Sequence, residues 1–361
     1  MKENQSFDTK RAENFANSLI DTLNKSALSF MISIGHRSGL YDTMADMEFF
    51  TPGELASSSN LNERYVREWL GAMVTGGIVE YSSETKRYRL PAEHSAFLTR
   101  RAGADNMSVF MQYAALMGKV EDEILDCFKE GGGVPYSKFP RFHEVMAEDS
   151  GQSVLSSLES HILPLVPGLT DKLNSGLRVL DVGCGFGRIL NKLASLFPHS
   201  QFTGMDLSSD AIENARKEAA AAALPNVNFV VKDLSDFHES APVEQYDLIT
   251  TFDAIHDQGK PLNVLKGIYK ALKEDGIYLM QDISGSGNLE QDKNHPLGIF
   301  LYTVSTMHCM TVSLAQDGGE GVGAMWGEEM TRDYLKEAGF SSVETNKLAH
   351  DIQNNWYVVR K

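Results

Sequence analysis

The 361-residue chain is poor in cysteine: Cys127, Cys184 and Cys309 are the whole set, and their spacing matches no metal-ligand motif. An odd count this small builds no disulfide framework. Cys184 reads as a small filler in a loop. Cys309 follows His308, an adjacency open to a metal or nucleophile reading and to a buried helix. The helix is favoured, and no metal is expected. Positive charge is scarce as well: 33 Lys and Arg stand against 49 Asp and Glu, a formal charge of −16, with no basic block anywhere. A protein that grips a phosphate backbone clusters its cations, so no nucleic-acid partner is expected. Long apolar runs are missing too. The stretch 27–34 is among the longest, far short of the ~20 residues that span a bilayer, so no membrane association is expected. The polar opening Met1–Ser6 and the mixed charges of Asp8-Thr9-Lys10-Arg11 give no readable signal peptide. A cytoplasmic location is expected. There is neither an internal repeat nor a low-complexity linker. What remains is 42% hydrophobic residues over a length that suits about two domains.

The most informative segment is Val179-Leu180-Asp181-Val182-Gly183-Cys184-Gly185-Phe186-Gly187-Arg188, an apolar strand running into a glycine-rich turn. Alternating glycines let backbone turn sharply and approach a ligand, and the following helix offers free N–H groups. The dinucleotide fingerprint is G-x-G-x-x-G. Here Gly183, Gly185 and Gly187 alternate, and Asp181 occupies a strand position that the dinucleotide fold fills with an apolar residue. A carboxylate there repels a pyrophosphate and attracts an amine, which points to S-adenosylmethionine, a sulfonium with an amino-acid tail and no phosphate. A plain glycine turn is the alternative.

Three further apolar runs follow, and each ends in an acid. Residues 201–205 end at Asp206, 227–231 lead to Lys232-Asp233-Leu234, and 246–251 lead to Phe252-Asp253. In an open α/β sheet ligands sit at the carboxyl ends of the strands, so Asp181, Asp206, Asp233 and Asp253 are expected to converge on one crevice. The separation from the loop suits Asp206 to a ribose diol. Each acid alone is also compatible with a strand-end turn or cap.

In this order of motifs, D-x-G-x-G-x-G first, the chain resembles the class I S-adenosylmethionine-dependent methyltransferases, over about residues 178–283. The resemblance implies an α/β fold with a seven-stranded Rossmann-like sheet whose last two strands, at 342–345 and 356–360, pair antiparallel at its edge. It implies that Asp181, Gly183 and Gly185 hold the methionine moiety, Asp206 the ribose, Asp233 the adenine amino group and Leu234 the adenine face, with Gly187, Leu207 and Phe252 also binding the cofactor.

The first hundred residues are of another kind. Thr51-Pro52-Gly53-Glu54 has the form of a capped helix start. A second helix is expected from about Glu63 to Thr75, burying Val66, Leu70 and Val74, with Gly76-Gly77 as its stop. Residues 78–81 and 88–90 alternate around a polar turn as a hairpin does. Helix, turn, helix and hairpin make a winged helix. A DNA-binding regulator is therefore a rival from another class, but between Thr51 and Ser95 five basic residues face six glutamates. The arrangement resembles the small-molecule O-methyltransferases of plants and bacteria, and more closely a two-domain group of bacteria and animals. That resemblance implies a homodimer in which Phe15, Leu19 and Leu23 exchange contacts; an intramolecular core helix is the alternative. The expected domains are 1–110 (winged helix, dimerisation), 111–172 (helical linker) and 173–361 (catalysis), with a substrate-chamber insertion at about 284–330.

Chemistry is expected just past the fourth strand, at Phe252-Asp253-Ala254-Ile255-His256-Asp257-Gln258. Histidine titrates near neutrality and suits a general base. In the plant and bacterial O-methyltransferases a His-Asp pair follows this strand, which marks His256 as base and Asp257 as its partner; here Gln258 replaces the usual tryptophan. A positioning role for His256, and a helix-capping role for Asp257, remain open. Tyr136, in the loop after Gly131-Gly132-Gly133, and Tyr302, His308 and Trp326, in the insertion, are candidate substrate contacts, each also compatible with packing. The sequence thus indicates a methyltransferase acting on a small-molecule thiol or hydroxyl compound, with an amine next. The alternative is a non-catalytic S-adenosylmethionine-binding regulator that uses the winged helix.

Overall fold

The computed structural model describes residues 7–361, and the chain divides into one compact unit ending at Ala115 and a second running from Leu116 to Lys361. The polar opening Met1–Ser6 lies outside the described residues. The first unit begins with the helix Thr9–Arg37, capped by the Asp8 carboxylate. At Thr51 both halves of a capping box form: the hydroxyl accepts Glu54 N–H at 3.3 Å, and the Glu54 carboxylate accepts Thr51 N–H at 2.7 Å. After the helix Pro52–Ser59, Asn60 turns the chain in the left-handed region and Asn62 caps the helix Glu63–Thr75. That helix buries Val66 and Leu70 as its spacing requires, together with Trp69 and Met73, whereas Val74 is half-buried. The wing is the hairpin β1 (Glu80–Ser82) and β2 (Arg87–Arg89). Four basic side chains of the helix Glu63–Thr75 and the wing pair with glutamates: Arg64 with Glu68, Arg67 with Glu63, Arg87 with Glu54 and Arg89 with Glu80.

The second unit is built on a seven-stranded sheet of order β5-β4-β3-β6-β7-β9-β8. Its strands are β3 (Arg178–Val182), β4 (Gln201–Asp206), β5 (Val227–Val231), β6 (Tyr246–Phe252), β7 (Leu272–Ile283), β8 (Ser342–Asn346) and β9 (Asn354–Arg360). The first five run parallel, and β9 is antiparallel to both β7 and β8. Side chains alternate across a strand, and β3 shows it: Val179 enters the apolar layer shared with the helices Arg188–Leu196 and Ser209–Ala221. Leu180 and Val182 enter the layer shared with Pro261–Ala271 and Gly327–Ala338. Burial on both faces is the usual condition of a parallel sheet, and it aligns the carboxyl ends of β3, β4, β5 and β6 along one edge.

Residues 284–330 form a chain of short helices, of which Gly298–Val304, Ser305–Cys309 and Met310–Leu314 run on continuously, the middle one a π-helical turn. The helix Gly327–Ala338 follows, its first turn falling within the expected insertion. Among the described residues no helix is long and apolar enough to cross a membrane.

Candidate active site

The glycine loop leaves β3 with its amides already committed. Gly183 and Cys184 N–H donate to Met205 O at 2.8 and 3.0 Å, Gly187 N–H donates to Cys184 O at 2.8 Å, and Gly185 N–H donates to Asp206 Oδ2 at 2.8 Å. A pyrophosphate needs such donors free; these four are consumed by the protein, as suits a ligand without phosphate. Two glycines are required for different reasons. At Gly187, φ is +65° and a Cβ would stand 2.3 Å from the Phe229 ring, whereas at Gly185, φ is +50° and a Cβ would meet nothing within 4 Å. Gly187 seats the loop on the core, and Gly185 faces open space.

That space belongs to a cavity of about 700 Å³ lined by Asp181, Gly183, Gly185, Gly187, Asp206, Leu207, Asp233, Leu234 and Phe252, all nine of the expected cofactor residues. Asp206 Oδ1 also accepts Ser208 N–H at 2.8 Å, and Asp233 Oδ1 accepts Ser235 N–H at 2.9 Å. Each carboxylate oxygen has lone pairs left for a ligand. Asp181 is buried and receives the Thr250 hydroxyl at 2.7 Å. Burial pushes its carboxyl from 3.8 up to about 7, the Thr250 hydrogen bond opposing and the Asp206 charge assisting. A ligand ammonium is the group that would restore its charge.

Beyond β6, His256 and Asp257 are both buried, and only Asp257 lines the cavity. His256 Nδ1 lies 2.7 Å from Asp282 Oδ1, and Nε2 lies 3.3 Å from Asp257 Oδ1. Burial pulls the imidazole pKa down, but the Asp282 and Asp257 carboxylates together carry it well above the usual histidine value. Asp282 Oδ1 also accepts Trp326 Nε1–H at 3.1 Å, and Asp257 Oδ2 accepts the Tyr136 hydroxyl at 2.6 Å. Asp257 does not cap the next helix: Pro261–Ala271 starts after Lys260 with no side-chain cap.

His308 is fully buried and packs face to face on Phe142, ring centroids 3.6 Å apart, with Phe139 and Tyr136 edge-on at 4.7 and 5.1 Å. Burial first, with the nearby His256 and His143 also acting, lowers its pKa to about 4 against the pull of Asp257. Tyr136, His308 and Trp326 thus gather around the His256–Asp257 pair, but of the three only Tyr136 lines the cavity, His308 and Trp326 being buried outside its lining. Tyr302 does not join them: its hydroxyl donates to Asp292 Oδ2 at 3.0 Å, outside the cavity lining. Asp282, Phe142 and His143 belong to the site as well, although none is among the residues expected from the sequence. Asp282 ends β7 as the other acids end their strands, and that signal was available. Phe142 and His143 lie on the helix Phe142–Ser153, within the stretch expected only as a helical linker. His143 stacks between Tyr136 and Phe186 on the cavity wall.

Such a loop, four strand-end acids on one edge and this sheet order define the class I S-adenosylmethionine-dependent methyltransferase domain. The comparisons agree: residues 173–337 match a family described as "Methyltransferase domain", and residues 26–100 match the Rv2258c-like winged HTH domain. The chain therefore carries a winged helix-turn-helix domain followed by an S-adenosylmethionine-dependent methyltransferase domain. It is 27% identical over 186 residues to the S-adenosyl-L-methionine-dependent Diels-Alderase iccD of Talaromyces variabilis, covering 50% of this chain and 58% of that one. It is 31% identical over 121 residues to the ubiquinone biosynthesis O-methyltransferase of Glaesserella parasuis serovar 5 (strain SH0165), covering 32% and 50%. The chain thus spans about half the length of these curated relatives. Human N-acetylserotonin methyltransferase, solved in complex with S-adenosylmethionine, superposes with a TM-score of 0.69 at 18% identity over 99% of both chains, a likeness of fold.

Proposed function

We propose that this chain transfers the methyl group of S-adenosylmethionine to a small-molecule acceptor, a hydroxyl or thiol compound first and an amine next. The observation that carries the reading is one cavity running from the glycine loop to an aromatic-walled end at Tyr136, Phe139 and Phe142 that also presents Asp257. The bound cofactor supplies a methyl already made electrophilic by its sulfonium, so alignment and water exclusion account for most of the task. Asp181 faces the ammonium, Asp206 takes the ribose hydroxyls, and Asp233 and Leu234 border the adenine. The aromatic walls hold the acceptor and keep water out. Asp257 presents a carboxylate edge to the acceptor O–H, S–H or N–H, and the Tyr136 hydroxyl fixes that edge.

In this reading His256 is a positioning residue. Both ring nitrogens face carboxylates and the ring does not line the cavity, so it steers Asp257 instead of taking a proton from the acceptor. The exposed Phe15, Leu19 and Leu23 on the helix Thr9–Arg37 are assigned to contacts with a second copy of the chain.

The test is S-adenosylhomocysteine release from purified protein offered S-adenosylmethionine and a panel of phenols, thiols and amines, with Asp257→Asn and His256→Ala alongside. Product with one acceptor class, lost in both variants while cofactor affinity holds, supports the reading. Tight cofactor binding with no release from any acceptor favours a regulator or a cofactor-dependent reaction that consumes no methyl group.

A further inference from the structure

We propose that His256, Asp257 and Cys309 form a binding site for one thiolate-accepting divalent metal ion, of the zinc class. The ligand atoms His256 N, Asp257 O and Cys309 Sγ all lie within 4.8 Å of one another, and all three residues are buried. They come from two segments more than 50 residues apart, the loop after β6 and the π-helical turn Ser305–Cys309. Pairwise sequence spacing is blind to such a set.

Two of the three ligands are gripped from behind, as the ligands of a metal centre are. Asp282 Oδ1 takes His256 Nδ1 at 2.7 Å and is itself anchored by Trp326 Nε1–H at 3.1 Å and Ile283 N–H at 2.8 Å. This leaves Nε2 turned toward Asp257 and Cys309. The Tyr136 hydroxyl occupies Asp257 Oδ2, leaving Oδ1 for the ion. Two further observations point to a missing ligand. Asp257 Oδ1 is buried and faces only His256 Nε2, at 3.3 Å, without a well-formed hydrogen bond, and both ring nitrogens of His308 are buried with no hydrogen-bond partner, Nδ1 standing 3.7 Å from Asp257 Oδ2. Buried polar atoms are ordinarily paired; a cation between Oδ1, Nε2 and Sγ satisfies the carboxylate directly. The grouping of Asp253, His256 and Asp282 is the weaker alternative, because there Nδ1 is already spent on Asp282.

The donor set selects the metal. Calcium and magnesium take oxygen ligands, while one imidazole, one carboxylate and one thiolate suit zinc, and cobalt as its spectroscopic substitute. Three protein ligands leave a fourth tetrahedral position, the pattern of a site that keeps one position open. Asp257 is the member that lines the cavity, so the cavity is the route by which the ion's open position is reached. The inference does not rest on methyl transfer.

The experiment is a cobalt(II) titration of the full chain after chelator treatment, read by the near-ultraviolet thiolate-to-cobalt charge-transfer band. The expected result is one equivalent bound with such a band, displaced by zinc(II), retained in Cys127→Ser, absent in a folded Cys309→Ser and bound more weakly by Asp257→Asn. Absence of the band in the wild-type chain overturns the proposal whatever the variants do. So does a band that survives Cys309→Ser, because the thiolate then belongs to another cysteine. Far-ultraviolet circular dichroism establishes that each variant is folded.

Discussion

Asp181 makes the stability of the ligand-free chain fall as pH rises. A carboxyl held at about 7 in the fold, against 3.8 for an exposed aspartate, keeps its proton in the native state through a window in which the unfolded chain has released it. In that window the native state binds more protons, so unfolding free energy declines with pH. Roughly three units at 1.36 kcal/mol each amount to about 4 kcal/mol overall, of which about 2.5 kcal/mol falls between pH ~5 and ~8. Asp181→Asn keeps an oxygen for the Thr250 hydroxyl and cannot ionise. Urea unfolding of both proteins without cofactor should therefore show the variant gaining on the wild type by that amount from acid to mildly basic pH. Cofactor binding should run the opposite way. An ammonium favours the ionised carboxylate, so calorimetric affinity of the wild type should rise nearly tenfold per pH unit until about pH 7 and then level, while the variant stays flat. Stability curves that run parallel across the whole range would refute the argument, since Asp181 would then be ionised in the fold.

The two loop glycines should separate folding from binding. Gly187→Ala, driven into the Phe229 ring, should lose a few kcal/mol in denaturant unfolding, whereas Gly185→Ala should pay only ~1–2 kcal/mol of backbone strain while its calorimetric S-adenosylmethionine affinity drops at least about tenfold. Tyr136→Phe removes the hydroxyl that fixes Asp257 and should cut turnover about tenfold with cofactor affinity unchanged, a charge-assisted hydrogen bond being worth ~1.5–3 kcal/mol. Leu19→Glu with Leu23→Glu should convert a dimer to a monomer in light scattering at unchanged helicity; an unchanged mass would refute the assignment of that helix face.

What was legible in the sequence is what local chemistry decides. The apolar runs leading to Asp181, Asp206, Asp233 and Asp253 marked the parallel strands because a strand buried on both faces reads as a near-continuous apolar run, with acids gathering at its carboxyl end. Thr51 and Glu54 announced a helix start that the structure builds with both hydrogen bonds. The helix start at Gly327 carries no such mark, because it has no side-chain cap. Tyr302 was placed in the chamber on composition alone, and the helix Gly298–Val304 delivers it to Asp292 instead. The stack of Phe142 on His308 joins positions more than 150 residues apart, and nothing local in either segment encodes it.

The π-helical turn Ser305–Cys309 sets two registers on one continuous rod. Upstream of its exit, Ser305 Oγ accepts Ala324 N–H at 3.1 Å. Downstream, Thr311 Oγ1 accepts Val134 N–H, Ser313 Oγ donates to Gln258 O, and Gln316 Nε2 donates to Asp257 O, at 2.8, 2.8 and 3.0 Å. A π turn holds one residue more than the α-helical turn it replaces. Deleting a single residue there would turn every later side chain by about 100° relative to the earlier ones. Both grips cannot then be kept at once, so this helix tolerates substitution far better than a change of length, and related chains that differ in length should carry their insertions elsewhere.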